Sequence, residues 1–128
     1  MKITIPKTIH PLDLAEYDPS FEGQTIDVWV NPPTDEVAKI YRGLDLSKDI
    51  AQKQSIEKDE AKIAEFKAQM DEVGKDQKDF FALVTGWQGE EVTEFIDTAM
   101  KTDPQLWPWA FLHVFVMVAN HQANRKKV

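Results

Sequence analysis

Hydrophobic and polar positions change their period along this 128-residue chain, from alternation near the N-terminus to helical spacing from about residue 34 onward. Lys2-Ile3-Thr4-Ile5 alternates, and Thr25-Ile26-Asp27-Val28-Trp29-Val30 does so more clearly with β-branched residues prevailing, so both stretches are predicted strands. They are expected to pair as an antiparallel β-hairpin, with Ile26, Val28 and Val30 on one face and Trp29 on the other. Between them Pro6, Pro11, Pro19 and Gly23 exclude regular helix and predict a long surface loop. Asn31-Pro32-Pro33 ends the second strand, because proline has no N–H for the ladder. Thr34-Asp35-Glu36 then supplies a cap and first-turn acids. The helix that follows is predicted to be short, to turn Val37, Ile40, Tyr41 and Leu44 inward, and to end near Gly43.

From Ser47 to Gly74 acids and bases are interspersed, and only Ile56, Ile63, Phe66, Met70 and Val73 form a narrow apolar stripe on one long helix. The simpler reading of that stripe is a helix covering one edge of the core; the sharper one is a docking edge for a second copy or a partner helix. Gly74 is expected to close this helix and Asp76 to cap the next, whose Phe80, Leu83, Val84 and Trp87 repeat at i, i+3, i+4, i+7. Val92, Phe95, Ile96, Ala99 and Met100 repeat the spacing, and Asp103-Pro104 marks the turn after it. Pro108 restricts Leu106-Trp107 to a first turn or a kinked start, so the last helix is expected from Trp109 to about Asn124. It is apolar nearly all round as far as Ala119, the profile of a central helix packed on several sides. The fold class is therefore mainly α with a small N-terminal β element (α+β), a compact helical bundle plus a two-stranded antiparallel β-hairpin. With 42% hydrophobic residues the chain suits a single domain, 1–128, with the strand pair and loop in 1–31 and the helical part in 34–128.

A net charge of −7 argues against binding a nucleic acid backbone, which needs a cationic surface; the basic cluster Arg125-Lys126-Lys127 reads as cations favoured at a helix C-terminus. No cysteine is present, which excludes disulfides and thiolate metal sites. The N-terminus lacks the apolar run of a signal peptide, and Leu106 to Ala119 is shorter than the roughly 20 residues of a membrane span, so the expected location is the cytoplasm, with no membrane partner.

Candidate chemistry is sparse. His113 and His121 stand eight residues apart, a spacing that does not align two ligands on one helical face, and His113 reads as a satisfied or half-buried residue. Glu90, Glu91, Glu94 and Asp97 gather four carboxylates, better explained by the positive end of a helix dipole and a solvated face than by acid–base work or a cation site. Ser20, Ser47 and Ser55 lack a nucleophile-elbow context, and no glycine pattern suggests a phosphate cradle. No catalytic, cofactor-binding or metal-binding residue is therefore assigned, and an enzyme is not expected. Large aromatics beside a helix start can serve as binding anchors, although core use is the simpler reading. Trp107 and Trp109, with Phe66 and Met70 on the charged helix, are the candidate partner-binding residues.

The segment Asp79 to Asn124 resembles the tail assembly chaperones of long-tailed bacteriophages. It has an apolar helix ending in a glycine-tryptophan step, Leu83-Val84-Thr85-Gly86-Trp87, then the acidic helix Glu90 to Met100 and the aromatic-rich helix from Leu106. The resemblance implies a non-enzymatic protein of the infected bacterial cytoplasm that binds the long helical tape-measure protein and helps tail-tube subunits polymerise around it. The alternative is a phage virion structural protein: a head–tail joining, minor tail or capsid-accessory component.

Overall fold

The computed structural model describes residues 5–54 and 56–125. Over these residues the chain runs through strand β1 (Ile9–Asp13), 3-10 turns at Leu14–Glu16 and Pro19–Phe21, strand β2 (Thr25–Trp29), and helices α1 (Thr34–Gln54), α2 (Glu60–Thr85), α3 (Gly89–Thr102) and α4 (Leu106–Arg125). The architecture is mainly α with one two-stranded antiparallel sheet, as the change of period predicted.

The partner of β2 lies elsewhere than alternation placed it. Of Lys2–Ile5, residues 2–4 fall outside the described residues, and Ile5 is exposed and irregular. The paired strand is β1, inside the stretch read as loop, with Ile9 opposite Trp29 and Asp13 opposite Thr25. Val30 N–H donates to the Thr8 carbonyl at 2.9 Å and Leu14 N–H to the Gln24 carbonyl at 3.0 Å, and these bonds bracket the ladder. Antiparallel partners bond at alternate positions, so Pro11, opposite Asp27, falls on a non-bonded one where its missing N–H breaks no bond. A proline thus marks this strand without excluding it. The connection tightens through the carboxylates of Asp13 and Asp18, which accept the N–H groups of Ala15 and Ser20, each at 2.9 Å. Ile26, Val28 and Val30 are buried, while Trp29 faces the other way beneath Lys7 Nζ, 4.4 Å from its ring.

Neither interior glycine ends its helix. Helix α1 passes through Gly43, which faces Val73 of α2; a Cβ there would sit in ordinary contact with Val73 Cγ1 at 3.6 Å. Tyr41, expected inside, is half exposed, although its ring meets Phe115 edge-on at 5.0 Å. Helix α2 likewise passes through Gly74. The single long charged helix is therefore two helices, broken before Glu60, and Asp59 rather than Asp76 is the cap, accepting Ala61 N–H at 3.0 Å. Asp76 sits inside α2 and pairs with Lys39 Nζ at 3.4 Å. Gly86, at φ 74°, ends α2 in the left-handed conformation, with its N–H on the Ala82 carbonyl at 3.0 Å.

The core draws on both strands and all four described helices, with Val28, Ile40, Phe80, Phe81, Val84, Val92, Val114 and Val118 among its buried members. The Phe81 ring contacts Trp87 at 5.5 Å, Phe95 at 6.1 Å and Trp107 at 5.0 Å, joining α2, α3 and α4 into one aromatic cluster.

Candidate partner-binding surfaces

Helix α4 carries no charged residue from Leu106 to Asn124. Its inner edge buries Ala110, Phe111, Val114, Phe115 and Val118. The outer edge is also apolar: Pro108 is exposed, Leu112 is 53% exposed and Val116 41%, spaced i, i+4, i+8 on one side of the helix. The helix is thus not enclosed on all sides, as its composition predicted, but leaves an uncharged apolar strip in contact with solvent. Pro108 fits in the first turn, where backbone N–H groups have no partner within the helix. α4 accordingly begins at Leu106.

Half-buried Trp109, His113 and Met117 border the strip. His113 Nδ1 donates to the Trp109 carbonyl at 2.9 Å, which requires the proton on that nitrogen, and its ring stacks on Trp109 at 4.2 Å. His113 is the satisfied, half-buried residue its context predicted. Trp109 also leans on Tyr17 at 5.1 Å, and the Tyr17 hydroxyl donates to Asp103 Oδ1 at 2.6 Å. That hydrogen bond, followed by burial and the nearby charges of Asp103 and Asp18, pushes the Tyr17 pKa up to about 12. The two candidate tryptophans on α4 therefore differ. Trp107 belongs to the aromatic cluster under Phe81, and Trp109 borders the exposed strip.

Phe66 and Met70 lie elsewhere. From Phe66 to Phe81, which touches Trp107, α2 advances 15 residues, about 22 Å. The core cluster stops at Leu44 on α1 and Phe80 on α2; beyond it the two helices form an arm that buries Ile50 and Val73. Along one side of the arm runs a groove of about 480 Å³ with Leu46, Ile50, Ile56 and Phe66 among its lining. It continues into a second cleft of about 310 Å³ that shares Leu46 and Gln69. Phe66 is half-buried in the groove, whereas Ile56 at the arm's tip is 81% exposed. Met70 and Ile63 lie one turn to either side of Phe66 but outside the groove lining, in line with Phe81, which α3 and α4 cover farther along. Met70 and Ile63 remain uncovered at 36% and 40% exposure. Leu112 and Val116 escaped sequence reading because nothing in a uniformly apolar helix marks its open side.

Glu90, Glu91, Glu94 and Asp97 are exposed along the start and middle of α3, and Glu91 Oε1 accepts Gln88 N–H at 3.1 Å, a capping contact. His121 meets His10 edge-on at 5.9 Å. Among the described residues no three His, Asp or Glu side chains are grouped to hold a metal ion, and no helix is long and apolar enough to cross a membrane. A cleft of about 440 Å³ beside Trp29, lined mainly by Ile5, Pro32 and Pro33, presents no titratable group. Comparison with known proteins found no matching family model, no similar curated protein and no similar solved structure.

Proposed function

We propose that this protein binds an apolar helical segment of another protein along the open strip of α4, as a tail assembly chaperone of a long-tailed bacteriophage. The observation that carries the binding mode is the exposure of Leu112 and Val116 on a helix with no charge between Leu106 and Asn124. A partner helix with an apolar stripe laid along them removes both surfaces from water, a gain of roughly 25 cal/mol per Å² of apolar area covered. Trp109, held by Tyr17 and His113, supplies a rigid aromatic border of the kind that anchors interfaces. No chemical step is required, and the role is non-enzymatic.

The choice of partner rests on the resemblance of Asp79 to Asn124 to tail assembly chaperones. On that basis the bound segment belongs to the tape-measure protein in the bacterial cytoplasm, and the tail-tube subunits are those whose polymerisation is assisted. The net charge of −7 supports the reading, since like charges keep loaded complexes apart while the strip stays neutral. Co-expression with the tape-measure protein of the same phage is the test. Increased solubility of the tape-measure protein and co-purification with this chain are expected. Stoichiometric recovery of this chain from mature virions, with no effect on tape-measure solubility, would overturn the proposal in favour of a virion structural protein.

A further inference from the structure

We infer that the α1–α2 arm is a self-association surface on which a second copy docks, arm against arm, as a four-helix bundle with α1 of each copy over α2 of the other. The arm is only two helices thick, and its groove leaves Leu46 exposed and Phe66 half-buried above a floor closed by the buried Ile50. The charges along the groove say what fits there. On the α1 wall stand Lys39, Arg42, Asp49 and Lys53, three bases and one acid. On the α2 wall stand Lys62, Glu65, Glu72 and Asp76, three acids and one base.

A surface with one basic and one acidic wall is self-complementary under a two-fold axis running along the arm. That rotation lays the basic wall of each copy on the acidic wall of the other and makes every neighbouring pair of helices antiparallel. The other two-fold packing, with its axis across the arm, stacks like walls and is disfavoured. An unrelated helix would need its own matched acidic and basic flanks, whereas a second copy carries them by construction of the same sequence. Within one copy Lys39 on the α1 wall reaches the half-buried Asp76 on the α2 wall at 3.4 Å, while Asp49 and Lys53 pair with each other along α1 at 3.0 Å with both side chains exposed. The pairing also answers a difficulty of charge: a chain at −7 repels its copies in general, and near the core this surface brings Lys39 and Arg42 of one copy level with Asp76 and Glu72 of the other, while farther out Asp49 and Lys53 lie level with Glu65 and Lys62. This surface is distinct from the α4 strip, and the inference stands or falls independently of the chaperone reading.

Sedimentation equilibrium over a concentration series, with circular dichroism to check folding, tests it. The wild-type chain is expected at twice its 14.7 kDa mass. Arg42→Glu or Glu72→Lys should each weaken self-association about tenfold, because each reversal occurs twice in the dimer. An equimolar mixture of the two single variants should regain it, since Arg42→Glu in one copy then faces Glu72→Lys in the other while the remaining wild-type contact is intact. A purely intramolecular effect would not respond to mixing. A wild-type chain monomeric at every concentration, or folded variants whose mixture associates no better than either alone, would overturn the inference.

Discussion

Phe81 is fully buried and touches Trp87, Phe95 and Trp107, side chains placed by three different helices or their ends, so its removal leaves a hole that none of them can fill alone. Phe81→Ala should lower stability by about 3–5 kcal/mol in urea unfolding. Trp87→Ala should cost less, because Trp87 lies beyond the end of α2 and is only half-buried. Tyr17 offers a second check at this scale. Its pKa is raised from the ordinary 10.0 to about 12 because the neutral phenol donates to Asp103, so folding favours the protonated form. The stability it contributes is fully present below pH 10 and is lost as pH rises toward 12. A spectrophotometric titration of the folded protein should show this high value, and Asp103→Ala should bring it back toward 10.0.

At the scale of elements, glycines separate what the sequence signals from what packing decides. Gly74 lies within α2 with open space where a Cβ would be, so Gly74→Ala should raise stability by about 0.5–1 kcal/mol in thermal or urea unfolding. Gly86→Ala should lower it by about 1–2 kcal/mol, since φ 74° is strained for any residue with a Cβ. The opposite result at Gly74 would restore the helix end that local signals suggested. Those signals were reliable where chemistry is local: the alternation of β2, the start of a helix at Thr34, the stop at Gly86 and the apolar spacing of α3 were all legible. They failed where a distant element supplies the reason. Gly43 lies inside a helix that packs against α2 at Val73 rather than ending it, and β1 can pair because Pro11 falls on a non-bonded position opposite Asp27. Of the candidate site, Trp109 and Phe66 were legible as surface-bordering residues, but the rows they belong to were not, because exposure of Leu112 and Leu46 depends on which neighbours the fold brings near.

Across the whole molecule, charge is distributed unevenly. Acids and bases crowd the arm and the start of α3, while α4 stays neutral from Leu106 to Asn124 and turns its inner edge to the core and its outer edge to solvent. A single helix therefore serves as both centrepiece of the fold and proposed docking strip, and substitutions confined to the outer edge should separate the two roles. The most direct measurement is tape-measure solubility on co-expression with a Leu112→Glu, Val116→Glu double variant, beside thermal melts of the isolated protein. The proposed mode of binding predicts that the tape-measure protein becomes insoluble and no longer co-purifies, while the melting curve of the variant stays close to that of the wild type. Retention of full solubilising activity by the folded double variant would contradict it.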